Sequence, residues 1–154
     1  MEWIENPNKS LADHLNKVYL KHRFEDIELY DDVLPTLNIL SRHFKIGLLS
    51  NGNSYPDRCG LEGRFAFVIL SQDVQVEKPD RRIFDITAEK AGCDIKQVLH
   101  VGDSLENDVA GAQNTGARSV WLSRDGKKND TEIQVDFEVA SLNEIPAILQ
   151  IENS

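Results

Sequence analysis

The stretch VGDSLENDVAGAQNTGA at 101–117 carries two acids, Asp103 and Asp108, five positions apart and directly behind an apolar run. Carboxylates at the end of a buried strand serve a metal ion or a charged ligand, and their hard oxygens suit magnesium. Two further stretches carry matching chemistry. Ser50-Asn51-Gly52 closes the apolar run Ile46 to Leu49, and Glu77-Lys78-Pro79 stands just before a helical pattern. A hydroxyl beside backbone N–H groups, a lysine and one or two carboxylates together can bind a phosphoryl group and a magnesium ion. In that assignment Ser50 and the loop amides at Asn51 and Gly52 bind phosphate, Lys78 neutralises it, and Asp103 takes the metal. Asp108 holds a metal-bound water or orients Lys78, which makes Lys78 and Asp108 the candidate catalytic pair and Asp103 and Asp108 the candidate metal residues.

Each stretch alone has a plainer reading. Ser-Asn-Gly makes ordinary turns, Lys-Pro-Asp starts ordinary helices and Gly-Asp-Ser makes ordinary N-caps. Their joint placement at the ends of different strands argues for one site, because ligands of open parallel sheets sit outside the carboxyl ends of the strands.

The elements that would hold these residues read as alternating strands and helices. Short apolar runs without strict alternation, at 46–49, 67–70, 98–101 and 119–122, fit strands buried on both faces of a parallel sheet. Between them DRRIFDITAEKAG and ENDVAGAQNTG read as helices stopped by Gly92 and Gly116. Ahead of the first strand, DDVLPTLNILSRHF reads as a helix with Pro35 in its first turn, and SLADHLNKVYLKH as an amphipathic helix capped by Ser10. Its stripe of Leu11, Leu15, Val18 and Tyr19 needs a packing partner. EIQVDFEVAS alternates as an edge strand should, and Ser141 caps a closing helix. His100, Trp3 and Trp121 read as core residues.

The three motifs, in this order, resemble those of the haloacid dehalogenase-like (HAD) hydrolase superfamily. SNG at 50–52 looks like its second motif, EKPD at 77–80 like its third and GDSLENDVAGA at 102–112 like its fourth. The match runs from about Leu29 to Leu149. The resemblance implies a Rossmann-like three-layer α/β fold with a mainly parallel sheet, with 29–154 as the core domain and 1–28 as the remnant of a helical cap. GDxxxxD is similar to the fourth motif of the magnesium-dependent phosphatases, which implies phosphomonoester hydrolysis with Mg2+ and a small phosphorylated metabolite as substrate.

The family's nucleophile is the first Asp of a D-x-D motif on the central first strand, and no D-x-D occurs in this sequence. Asp26-Ile27-Glu28 and Asp136-Phe137-Glu138 come nearest, yet neither follows a buried apolar run. The sheet is therefore expected to be incomplete, lacking the central strand and most of the cap. The chain is expected to be N-terminally truncated and inactive by itself, unless the flanking strands close up on each other. The alternatives are a non-catalytic phosphate-ligand binding or regulatory protein, and an enzyme completed in trans by another chain. Open edges also predict self-association.

Composition bounds the rest. A net charge of -9 with scattered Lys and Arg excludes a nucleic-acid phosphate tracker, which needs clustered cations. Cys59 and Cys93 lack metal or disulfide spacing, and no segment approaches a membrane span, so a cytoplasmic protein without nucleic-acid or membrane partners is expected.

Overall fold

Four short apolar runs form parallel strands, as their two-face-buried composition predicts. The computed structural model describes residues 9–25 and 28–151. They divide into one unit of Met1–Leu29 with Ser54–Glu62 and another of Tyr30–Asn53 with Gly63–Ser154.

In the first unit, helix α1 spans Lys9–Glu25 and a 3-10 turn spans Pro56–Cys59. The helix starts one residue earlier than expected, so Ser10 lies within it rather than capping it. Its stripe of Leu11, Leu15, Val18 and Tyr19 is exposed rather than buried as the amphipathic pattern would require. Trp3, Asp26 and Ile27 fall outside the described residues.

In the second unit the order is helix α2 (Val33–Leu40), strand β1 (Gly47–Ser50), strand β2 (Phe67–Leu70), a one-turn helix α3 (Ser71–Val74) and helix α4 (Arg81–Ala91). Strand β3 (Leu99–Gly102), a π-helical turn (Leu105–Ala110), helix α5 (Gly111–Gln113), strands β4 (Arg118–Leu122) and β5 (Phe137–Val139) and helix α6 (Ile145–Ile148) follow. Pairing is parallel throughout: β1 with β2 in one sheet, and β3 with β4 and β4 with β5 in another. The fold is the expected α/β, Rossmann-like arrangement with an interrupted sheet.

Helix α4 carries the packing. Ile83 and Phe84 on its inner face join Ile69, Ala112 and Ala117 in one buried cluster, against which Leu49 and Val98 also pack. Side chains of the first sheet and of the residues leading into β3 and β4 thus meet on one helix. The helix is well bounded: the Asp80 carboxylate accepts from Arg82 N at 2.9 Å, and Gly92 ends it at φ 73°, a left-handed conformation that favours glycine.

Among the described residues β1 and β3 do not pair with each other, so the flanking strands do not close up. Ile46 O accepts from Ala66 N and Val98 O accepts from Arg118 N, so these residues face β2 and β4. By strand alternation Gly47 and Leu49, and likewise Leu99 and Val101, turn their backbone groups to the other edge. The cost expected for such edges is tempered by water, because no residue of either strand is fully buried.

The predicted edge strand at 133–139 is shorter than its alternation suggests. Side chains capture the backbone ahead of it: Asn129 Oδ1 accepts from Thr131 N and Oγ1 at 3.0 and 2.7 Å, and Asn129 Nδ2 donates to Ile133 O at 2.7 Å. Pairing starts only at Phe137. At the closing helix the expected cap is present, with Ser141 and Glu144 forming a capping box that leads into α6. Cys59 and Cys93 are free thiols, and no described helix is long and apolar enough to cross a membrane.

Candidate functional site

The loop after β1 and the segment before α4 are held together by one side chain. Asn51 donates from Nδ2 to Lys78 O at 2.9 Å and accepts from Lys78 N at Oδ1, at 2.8 Å. This two-point clamp fixes the lysine backbone, and the Lys78–Pro79 peptide is cis. Ser71 Oγ in turn donates to Asn51 O at 3.2 Å. Ser50 lies at the end of β1, where its Oγ accepts from Gly52 N at 2.9 Å. The Gly52 amide is thereby engaged locally, and the Asn51 side chain is committed to Lys78.

The lysine side chain runs to the carboxyl end of β1 and across to Asp108. Nζ donates to Leu49 O at 3.4 Å and pairs with Asp108 Oδ1 at 2.5 Å, the two side chains being 11% and 5% exposed. Asp108 reaches this position because its helix opens with a π turn. Asp108 N and Val109 N both donate to Ser104 O, and the turn buries Asp108 and Val109 together. The carboxyl lies over Gly102, where any side-chain carbon would overlap it. Its Oδ2 accepts from Ser104 N at 3.0 Å, and Oδ1 also takes His100 Nε2 at 2.9 Å.

Burial opposes ionisation of Asp108, but the His100 and Lys78 hydrogen bonds, the lysine charge and the Ser104 amide outweigh it. The carboxyl is held well below the usual carboxylate range. Asp103 follows β3 with an exposed side chain, and its carbonyl is fixed by Trp121, whose Nε1 donates at 3.1 Å from a buried indole.

The structure thus brings Asn51, Lys78, His100 and Asp108 into direct contact, with Ser50 and Gly52 bonded to each other beside Asn51. Two residues carry more than their sequence reading. His100 is a satisfied core residue, as expected, yet it is bonded to Asp108. Trp121 packs, as expected, and also anchors Asp103. The signal for His100 was strand alternation, which puts it on the same face of β3 as Gly102.

Hard carboxylate donors suit magnesium, but both oxygens of Asp108 are already bonded. Among the described residues no three His, Cys, Asp or Glu side chains gather where they could hold a metal. Among the described residues the site therefore leaves the exposed Asp103 carboxylate as a donor for such an ion, and no complete shell.

The family described as haloacid dehalogenase-like hydrolase matches residues 2–116. The chain belongs to the haloacid dehalogenase-like hydrolases. The pyrimidine 5'-nucleotidase YjjG of Escherichia coli is 31% identical over 153 residues, covering 96% of this chain and 68% of that protein. Among solved structures, a 2-haloacid dehalogenase from Pseudomonas syringae superposes with a TM-score of 0.85 at 35% identity, over 92% of this chain and 61% of that one. The HAD-hydrolase YfnB of Bacillus subtilis, solved bound to magnesium, gives 0.75 at 28% identity, over 80% of this chain and 57% of that one. The chain spans about two thirds or less of the length of these relatives.

Proposed function

We propose that this chain is the greater part of the core of a magnesium-dependent phosphomonoester phosphatase, competent to hold a phosphoryl anion and not to hydrolyse its ester unaided. The observation that carries the reading is the Lys78 ammonium, fixed through its backbone by Asn51 and through its head by Asp108. A cation held at the carboxyl ends of parallel strands, next to a serine hydroxyl and loop amides, is suited to a dianionic phosphoryl group. The sequence match to a nucleotidase, itself a phosphate-ester hydrolase by name, favours the same chemistry.

In this reading Lys78 neutralises the anion, and Ser50 Oγ turns from Gly52 to donate to a phosphoryl oxygen. Asp108 holds the Lys78 ammonium in place. Asp103 supplies the carboxylate still free to meet magnesium, which when bound offsets the negative charge of the ester. The remaining ligands and the nucleophile come from outside these motifs. Family chemistry passes through an aspartyl phosphate, and no D-x-D occurs here. Asp136, of the D-x-E stretch at 136–138, is instead tied to Ser119 N at 2.8 Å and Oγ at 3.1 Å. The substrate class is a small phosphorylated metabolite, and we place the protein in the cytoplasm.

The open edges of β1 and β3 favour a second reading, an enzyme completed in trans by a strand from another chain. Without such a strand the same edges promote self-association, and the chain acts as a phosphate-ligand binding or regulatory protein.

The test is an aryl phosphate assay with magnesium on the purified chain, alone and with a synthetic apolar strand peptide ending in D-x-D. The first reading predicts no turnover alone. Turnover by the chain alone that Asp103→Ala abolishes would overturn it, and release of halide from a 2-chloro acid would replace phosphatase chemistry altogether. Peptide-dependent turnover supports completion in trans.

A further inference from the structure

His100 sits in the middle of β3, a position that a parallel strand ordinarily gives to an apolar side chain. Its ring lies edge-on to Phe84 of α4, with centroids 5.3 Å apart and planes at 85°, which fixes the ring plane. Its Nε2 is 2.9 Å from Asp108 Oδ1, the same oxygen that Lys78 engages, and its side chain is 10% exposed. An ionised carboxylate can only accept, so the ring donates through Nε2–H. Asp108 is then held from three directions: His100 and Lys78 at Oδ1, and the Ser104 amide at Oδ2. Gly102 leaves the space in which the carboxyl lies.

The lysine is anchored differently along its length. Its backbone is clamped by Asn51, whereas its ammonium bonds, among the described residues, to Leu49 O and Asp108 Oδ1. The direction of the Asp108 carboxylate therefore decides where the positive charge stands. Of the groups that set that direction, His100 is the one side chain belonging to the sheet itself, while Ser104 caps the acid's own turn.

We propose that His100 is a positioning residue for Lys78, acting through Asp108: its Nε2–H aims the carboxylate, and the carboxylate aims the ammonium. The inference rests on the reading of Lys78 as the cation of an anion site, but its first readout does not depend on that reading. His100→Leu removes the donor at similar volume. His100→Gln restores it, because the glutamine Nε2 stands about as far from the backbone as the ring Nε2.

The experiment follows the Lys78 ammonium by lysine-selective 15N NMR, assigned by its loss in Lys78→Met, and titrates the same proteins with orthovanadate. A slowly exchanging Lys78 signal is expected in the wild type and in His100→Gln and absent in His100→Leu. Vanadate affinity should fall about tenfold in His100→Leu, the effect of one hydrogen bond to a charged group, and recover in His100→Gln. A Lys78 signal unchanged in His100→Leu would overturn the proposal, as would its loss in His100→Gln. If His100→Leu does not fold, the decision passes to His100→Gln and Asp108→Asn. The proposal then needs the signal kept in the first and lost in the second, and the opposite pattern refutes it. Wild-type protein that fails to bind vanadate while the NMR pattern holds would remove the anion-site reading and leave the positioning role standing.

Discussion

Replacing Asp32 with Asn should destabilise the protein by about 2 kcal/mol at neutral pH, and the deficit should shrink in acid. Asp32 is buried just ahead of α2, where its Oδ1 pairs with Arg124 Nη2 at 2.9 Å. Its Oδ2 accepts from Ser141 Oγ and Leu142 N, both at 2.8 Å, and Arg124 is stacked over the Tyr30 ring at 4.0 Å. One carboxylate thus ties the start of α2 to the segment after β4 and to the cap of the last helix. Burial opposes its ionisation, but the Arg124 and Ser141 hydrogen bonds, the Leu142 amide and the arginine charge prevail, lowering its pKa from 3.8 to about 2. A depressed acid contributes stability that is complete above the unfolded value and is lost as pH falls through the folded one. The shift corresponds to about 2 kcal/mol at pH 7, with about half remaining at pH 3. Urea unfolding of wild type and Asp32→Asn at pH 7 and pH 3 measures both ends. A difference below about 0.5 kcal/mol at pH 7, or one that does not narrow by pH 3, would refute the reasoning.

Other outcomes follow from the same structure. Gly102→Ala places a methyl where the Asp108 carboxyl lies and should cost about 1–3 kcal/mol in urea unfolding; wild-type stability would mean the carboxyl moves aside freely. Asp108→Leu leaves Lys78 and His100 without their acceptor in a site where both side chains are little exposed, and should cost about 3–5 kcal/mol by thermal or chemical unfolding. Trp121→Phe keeps most of the packing but removes the donor to Asp103 O. It should cost about 1 kcal/mol and speed hydrogen exchange at the amides of Asp103 and Ser104.

The strands were legible because a parallel sheet buried on both faces writes itself as short apolar runs. Those read at 46–49 and 98–101 fall one residue later, at Gly47–Ser50 and Leu99–Gly102. The edge strand was only partly legible: Ile133, Val135, Phe137 and Val139 do alternate in burial, but Asn129 and Thr131 compete for the backbone before it can pair. Turn chemistry of that kind overrides a period-two pattern. Residue types and order singled out Ser50, Lys78 and Asp108, and the structure places Ser50 at the end of β1 with the Lys78 and Asp108 side chains in contact. The contacts among them were not legible. That Asn51 clamps Lys78 depends on a loop conformation, and that Asp108 turns back to His100 depends on a π turn which no periodicity marks.

The central claim is that Lys78 is the cation of a phosphate site assisted by magnesium. Isothermal titration of the purified chain with inorganic phosphate, in the presence of magnesium, tests it most directly. Saturable one-to-one binding that disappears in Lys78→Met and weakens in Asp103→Ala is the predicted result. No binding up to about 10 mM, an affinity worth under about 3 kcal/mol, or binding that Lys78→Met leaves unchanged, would contradict the account.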